Sequence, residues 1–335
     1  VYPDWFPGNK SQIGAIRSLA PSRSRLLQII ETLGDFAFPE QLHECEAILG
    51  ASSLGDLEGP FAGDPYGCMR HYFATTHPGL APRFRAVVSS ACSSGTDVLS
   101  LASTLVDRKR YDVVGVVAAD CLDPGKLLQH FALGTQAEVR AMPFDQDRTG
   151  TSFGEGGAFA LVANRAGLEK LNATTAYQIL GFGMSCDAMY ITAPDETAEK
   201  PSLAIVRALA AARRRTSDIG YINAHASGTP LNDRVESTAF GKAFGAALDD
   251  TRMSGTKGAI GHLLGATGLA EVVVACWSLS HGIAPGTVGL KRLDPDLNVP
   301  AIVQGHKERI SEPTAMSTTF GFGGVNSAVV LEKAY

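Results

Sequence analysis

Short apolar runs alternate with amphipathic stretches along most of the chain. Ala47-Ile48-Leu49 and Arg85-Ala86-Val87-Val88 read as strands, the first closed by a Gly/Ser/Asp turn. Residues 113–117, Val-Val-Gly-Val-Val, are apolar and β-branched, the pattern of a strand buried on both faces. Residues 158–162, 178–182, 219–223 and 328–332 are further strand candidates. Helical spacing joins Val98, Leu99, Leu101, Ala102 and Leu105, and recurs over 201–215, 233–244 and 269–279. Residues 26–33 predict one more helix; the rest of 1–40 carries little pattern beyond the breaks at Gly8-Asn9 and Pro21. Strands alternating with helices predict an α/β fold with helix-covered sheets. The rhythm divides the chain near residue 178 into halves, 1–178 and 179–335, and no short-period repeat is visible.

Composition narrows the function classes. Of 335 residues, 45% are hydrophobic and 19% charged, ordinary for a globular chain with a sizeable core. The net charge of −5 argues against nucleic-acid binding, and Arg108-Lys109-Arg110 and Arg213-Arg214-Arg215 read as solvated helix ends. Six cysteines are scattered without a C-x-x-C pair, so neither a zinc site nor a disulfide framework is expected. A reducing, cytoplasmic setting fits that usage. No apolar run reaches membrane-spanning length, and no secretory leader is visible. The chain opens on Val1 rather than Met, so further residues are expected upstream.

Five clusters carry the chemistry. Cys92, in Ser89-Ser90-Ala91-Cys92-Ser93-Ser94-Gly95, stands where a strand ends and a helix begins. A helix N-terminus lowers a thiol pKa, and the backbone N–H there can serve an oxyanion hole. A cysteine in such a place is more often a small core residue than a nucleophile, so its company matters. His225 follows a strand in Asn223-Ala224-His225-Ala226-Ser227-Gly228-Thr229-Pro230, the sheet edge that binding sites favour. His262 ends Gly255-Thr256-Lys257-Gly258-Ala259-Ile260-Gly261-His262. Either histidine alone reads as structural; two of them on separate loops with a poised cysteine read as a site. Phe320-Gly321-Phe322-Gly323-Gly324-Val325-Asn326 is a glycine-rich loop presenting Phe322. Residues 143–157, from Pro143-Phe144-Asp145 to Gly154-Glu155-Gly156-Gly157, lack the spacing of a P-loop or a dinucleotide fingerprint. Their reading is structural: Asp145 and Arg148 as a buried ion pair, the glycines for close packing.

Taken together, A-C-S-S-G, P-F-D…R…G-E-G, N-A-H…G-T-P-L-N-D, K…I-G-H…G-A-T-G…E and F-G-F-G-G resemble the elongating β-ketoacyl-acyl carrier protein synthases, condensing enzymes of the thiolase-fold superfamily. The resemblance runs from about Ala47 to the C-terminus. It implies a thiolase-like fold of two similar βαβαβ-type halves in an αβαβα layered arrangement. It also implies roles. Cys92 is the nucleophile, His225 and His262 the catalytic histidines, and Lys257 with Glu271 their support. Phe322 gates the acyl pocket, with Phe131 as second gate, and Ser227 and Thr229 hold the pantetheine arm. Ala226, Ser227 and Val325 depart from the family's usual Gly, Thr and Thr. The stretch before Cys92 is shorter than usual, and the family's opening strand is not recognisable in it.

The implied reaction is decarboxylative Claisen condensation of a malonyl-carrier thioester with an acyl group on Cys92, in fatty acid or polyketide/polyene synthesis. No metal or resident cofactor is implied, because substrates ride on the phosphopantetheine of an acyl carrier protein. That carrier is one expected partner. A second copy of the chain is the other, with an inactive relative as the alternative. Besides the initiating or thiolase branch, which uses Asn or a second Cys as its third residue, two other readings stay within the superfamily, a non-catalytic chain-length-determining subunit and a malonyl decarboxylase. The former usually lacks the cysteine, and the latter often carries Gln in its place.

Overall fold

The computed structural model describes residues 24–334 except 38–39, 58–60, 62, 81–82 and 174–176. The features read at Gly8-Asn9 and Pro21 lie outside this set. In chain order come α1 (Arg25–Ala37), β1 (Ala47–Ala51), α2 (Gly67–Thr76), β2 (Phe84–Val88), α3 (Ser94–Asp107), β3 (Val113–Asp120), α4 (Pro124–Ala132), β4 (Gly156–Ala163) and α5 (Arg165–Lys170). Then follow β5 (Tyr177–Cys186), α6 (Glu199–Ala212), β6 (Tyr221–Ala224), α7 (Pro230–Phe244), β7 (Arg252–Gly255), α8 (Lys257–Ile260), α9 (Thr267–His281), β8 (Ile283–Ala284), β9 (Glu308–Arg309), β10 (Thr314–Gly321) and β11 (Val325–Lys333).

Two sheets organise these elements. The first runs β2-β1-β3-β4, the second β5-β11-β10-β6-β7. In the first, β2, β1 and β3 are parallel and β4 antiparallel. In the second, β7, β6 and β10 repeat that parallel set and β11 the antiparallel strand, with β5 added outside β11. Helices α3 and α9 pack on each other and on strands of both sheets, so they form a shared middle layer. Leu26, Ile29 and Ile30 of α1 and Met69, Tyr72 and Phe73 of α2 cover the outer face of the first sheet. Ile205 and Leu209 of α6 and Val235 and Phe240 of α7 cover that of the second. The result is the five-layer αβαβα arrangement.

This arrangement follows from the sequence pattern. Every residue of β1 and β3 is buried, as continuous apolar runs require between two helical layers. The middle helices approach closely because they carry glycine where they touch. A Cβ on Gly95 would lie 2.6 Å from the backbone N of Leu269, and one on Gly268 2.2 Å from Thr96 Oγ1.

The expected Asp145–Arg148 ion pair is not formed. The Asp145 carboxylate instead accepts the backbone N–H groups of Lys291 at 2.7 Å and Arg292 at 2.8 Å, fixing a distant loop. Arg148 pairs with Asp294 at 2.6 Å and reaches Asp233 at 3.8 Å. Three residues apart in a tight turn, the two side chains face different loops. The packing role of the glycines is present: a Cβ on Gly154 would sit 2.4 Å from the carbonyl oxygen of Ile260.

Candidate active site

The carboxyl ends of the parallel strands converge on one cavity of about 400 Å³. Its lining includes Cys92, His225, His262 and Phe322, with Ser227 and Thr229 towards one wall. Cys92 follows β2, His225 follows β6, Lys257 follows β7 and Phe322 follows β10. This is the edge at which α/β sheets present ligands to loops.

Cys92 sits on a strained elbow. Ala91 has φ +53°, a left-handed conformation that costs a non-glycine residue about 1–2 kcal/mol. The elbow turns the chain from β2 into α3, whose first residue is Ser94. The backbone N–H groups of Phe322 and of Cys92 itself both approach the sulfur. The thiol is nonetheless not the ready thiolate that a helix N-terminus alone predicts. Burial pushes it up to about 11, outweighing the nearby Lys257 and the two N–H groups. Alkylation of Cys92 by iodoacetamide is therefore expected to speed up roughly tenfold per pH unit from about pH 7 to about pH 9. Mass spectrometry of the Cys92 peptide measures this, and a rate that levels off below about pH 8 would show a thiolate already formed.

The histidines are held as neutral rings. Burial, with Lys257 next, pushes both His225 and His262 well below the usual imidazole range. Their rings lie 5.5 Å apart, edge to face. Nδ1 of His262 accepts the Leu264 N–H at 2.9 Å and lies 3.0 Å from Thr267 Oγ1. A neutral imidazole that accepts at Nδ1 carries its proton on Nε2, so His262 is a hydrogen-bond donor at Nε2. A backbone bridge fixes the same residue: its N–H donates to Ser152 O at 2.7 Å, and its carbonyl accepts from Gly154 at 3.0 Å.

Beneath them lies a fully buried ion pair. Lys257 Nζ meets Glu271 Oε1 at 2.7 Å and also donates to the backbone carbonyl of His225. Thr256 Oγ1 donates to the same Glu271 oxygen at 2.7 Å. Lys257 thus ties the two histidine loops together while putting positive charge near both rings. Ser227 Oγ and Thr229 Oγ1 are 2.9 Å apart, and Thr229 caps α7.

Three residues that the sequence reading passed over complete the frame. Glu236, buried in α7, accepts the N–H groups of His225 and Ala226, each at 2.7 Å. Burial and the Asp233 charge push its carboxyl up to about 8. Asp120, at the end of β3, accepts the N–H of Gly265 at 2.9 Å and that of Ser53 at 2.7 Å, joining the His262 loop to the first sheet. His130, on α4, lines the cavity. Phe131, expected there as a second gate, is 46% exposed and is not among the lining residues. Neighbouring positions on a helix point about 100° apart, so only one of the two can face inward.

The Phe322 loop has the backbone freedom a gate needs. Gly323 and Gly324 have φ +81° and +70°, where only glycine is unstrained. A Cβ on Gly323 meets nothing closer than 3.8 Å, so a substitution there acts through backbone conformation and not through a clash. Gly323→Val is expected to lower turnover several-fold while shifting the unfolding midpoint by only about 1–2 kcal/mol equivalent. Steady-state kinetics beside thermal unfolding checks this, and wild-type turnover would count against gating.

Two similarly ordered sheets around shared helices, with a cysteine and two histidines at their carboxyl edge, make this a thiolase-like fold. Solved structures agree. The chain superposes on a chain from the structure of a type II polyketide synthase acyl carrier protein in complex with its ketosynthase, at TM-score 0.87 and 20% identity, covering 100% of this chain and 91% of that one. A β-ketoacyl synthase from Burkholderia phymatum superposes at TM-score 0.83 with 23% identity, covering 99% and 91%. Residues 85–166 match the β-ketoacyl synthase N-terminal domain, and residues 177–291 match its C-terminal domain. The mitochondrial 3-oxoacyl-[acyl-carrier-protein] synthase of Arabidopsis thaliana is 33% identical over 251 residues, 72% of this chain and 54% of that protein. The tetracenomycin ketoacyl synthase alpha subunit of Streptomyces glaucescens is 32% identical over 256 residues, 74% of this chain and 59% of that protein. The chain belongs to the β-ketoacyl synthase family. It spans little more than half the length of these two curated relatives.

Proposed function

We propose that this chain catalyses decarboxylative condensation of a malonyl-carrier thioester with an acyl group held on Cys92, as a 3-oxoacyl-carrier-protein synthase. The observation carrying this reading is the convergence of Cys92, His225 and His262 on one cavity, with His262 fixed as an Nε2–H donor. The Cys92 sulfur attacks the acyl thioester carbonyl; its proton ends on the departing pantetheine sulfur. The Cys92 and Phe322 N–H groups stabilise the tetrahedral oxyanion. Malonyl thioester then places its carbonyl oxygen against the two imidazoles. The bond to its carboxylate breaks, CO₂ leaves, and the electron pair forms an enolate that the imidazole N–H groups stabilise. The enolate carbon attacks the acyl-Cys92 carbonyl, the C–S bond breaks, and the departing Cys92 thiolate takes up a proton from solvent. Ser227 and Thr229 hold the pantetheine arm, Glu271 and Lys257 support the rings, and Phe322 gates the acyl pocket. This chemistry calls for neither a metal nor a redox group.

An acyl carrier protein is the proposed substrate partner, in a cytoplasmic setting. No helix among the described residues is long and apolar enough to cross a membrane. The two halves meet near residue 178 in this reading. A second copy of the chain is the proposed subunit partner. Leu128, Phe131, Leu133 and Val139, on or just beyond α4, are 39–52% exposed and offer it an apolar face. An inactive relative is the alternative, and light scattering beside co-expression separates the two. The activity is tested by incubating the chain with acyl- and malonyl-carrier thioesters and following CO₂ and β-ketoacyl product by mass spectrometry. Acylation of Cys92 without product would leave a priming or partner role in its place.

A further inference from the structure

We propose that His130 is a positioning residue that latches the Phe322 loop to the first half of the molecule by aromatic stacking. The inference deepens the function proposed above, since Phe322 belongs to that same site. It starts from a row of rings. His130 lies 5.5 Å from Phe322 with an interplanar angle of 29°, and 4.2 Å from Phe153 at 35°. Phe153 in turn lies 6.0 Å from His262 at 27°, and His262 meets His225. A continuous stack thus runs from the loop to the histidine pair. Phe322, His130, Phe153 and His262 all line the cavity.

The row joins parts of the chain that the backbone leaves apart. His130 is on α4, beside the first sheet, while Phe322 is at the end of β10 in the second. Apart from the Phe322 N–H that approaches the Cys92 sulfur, the loop's backbone bonds go elsewhere: Gly323 donates to Ile191 O at 2.6 Å, and Gly324 O accepts from Asp187 at 2.9 Å. With two glycines following Phe322 at positive φ, the backbone does little to fix the phenyl ring, and the stack supplies that constraint.

His130 suits a latch. Its Nδ1 lies 3.2 Å from Thr135 Oγ1, which orients the ring, and the Thr135 N–H donates to the His130 carbonyl at 3.2 Å. Burial pushes the imidazole down to about 4, which keeps it neutral at physiological pH. A flat, neutral, oriented ring can face Phe153 and Phe322 at once. Aromatic pairs of this kind shift a local equilibrium by roughly two- to tenfold.

Hydrogen exchange of the full chain without substrate tests the latch independently of the reaction. In His130→Ala, the Gly323 and Gly324 amides are expected to exchange about two- to tenfold faster. The β3 amides should be unchanged, and His130→Phe should restore slow loop exchange. Unchanged loop exchange in His130→Ala overturns the proposal, as does His130→Phe behaving like His130→Ala. If His130→Ala fails to fold, Phe322→Leu opens the same stack from the other side. It should accelerate the same amides, and their failure to accelerate overturns the latch. Loop exchange that responds as expected in a chain that makes no β-ketoacyl product would uphold the latch and refute the proposed function.

Discussion

Replacing His225 or His262 by Ala is expected to lower CO₂ release from a malonyl-carrier thioester by about 10²–10³-fold, the usual cost of removing one preorganised oxyanion donor. Acyl transfer to Cys92 should fall far less, because in the proposed mechanism its oxyanion is met by the Cys92 and Phe322 N–H groups, which approach the sulfur, and not by the imidazoles. The split follows from the tautomer. Leu264 occupies Nδ1 of His262, so Nε2 is the donor, and an enolate oxygen needs a donor. His262→Gln keeps a side-chain donor and should lose less than His262→Ala. Radiolabelled CO₂ release, measured beside single-turnover acylation, separates the two steps. Undiminished CO₂ release in both Ala variants would remove the histidines from decarboxylation.

The second large effect concerns Lys257 and Glu271. Both side chains are 0% exposed, and their contact is 2.7 Å. Removing one partner of a buried pair strands the other, at about 3–5 kcal/mol, a large share of the roughly 5–15 kcal/mol that holds a typical domain folded. Lys257→Ala is thus expected to lower the unfolding free energy by about that amount, whereas Lys257→Met with Glu271→Leu should recover much of it. The double variant also tests the electrostatics. Burial is the largest cause of the low histidine pKa values and Lys257 the next, so losing Lys257 raises both. If neutral rings are required, the acid limb of the activity profile moves to higher pH. Urea unfolding gives the stability, and a loss under about 1 kcal/mol for Lys257→Ala would mean that water reaches the pair.

The parts of this fold that were legible in the sequence are those where one pattern dominates. β3 reads directly as a buried strand because its apolar run has no competing signal. Cys92 and His225 could be singled out because each follows a legible strand, and His262 and Phe322 because each sits in a glycine-rich run. β10 was not seen. Its sequence, Thr-Ala-Met-Ser-Thr-Thr-Phe-Gly, mixes hydroxyls into a strand that is buried nearly throughout. Two of those hydroxyls have partners remote in sequence: Thr319 lies 3.2 Å from Thr96, and Thr318 donates to Glu236 at 3.3 Å, while Ser317 Oγ is buried without one. Neither pairing has a local signature. Glu236 was missed for a related reason, since an acidic residue inside an amphipathic helix reads as solvated surface until the loop it holds is in place.

Two expectations changed for physical reasons. The helix N-terminus at Cys92 favours thiolate, but desolvation is the larger effect, and the resting group is a thiol. Spacing alone could not show how deeply that turn is covered. Phe131 and His130 illustrate the same limit: the resemblance implied Phe131, but it does not give the rotation of α4 about its axis, which turns His130 and not Phe131 to the cavity.

The central claim is that Cys92 carries the acyl group during carbon–carbon bond formation. Intact-protein and peptide mass spectrometry after incubation with an acyl-carrier thioester tests it most directly. Among the other described cysteines, Cys45, Cys68 and Cys276 are pushed by burial up to about 12, and none of the five lines the cavity. A single acyl adduct on the Cys92 peptide, discharged as β-ketoacyl product on adding malonyl-carrier thioester and absent in Cys92→Ala, is the expected result. An adduct on Cys121 or Cys186 with Cys92 unmodified, or product formation by Cys92→Ala, would contradict the account.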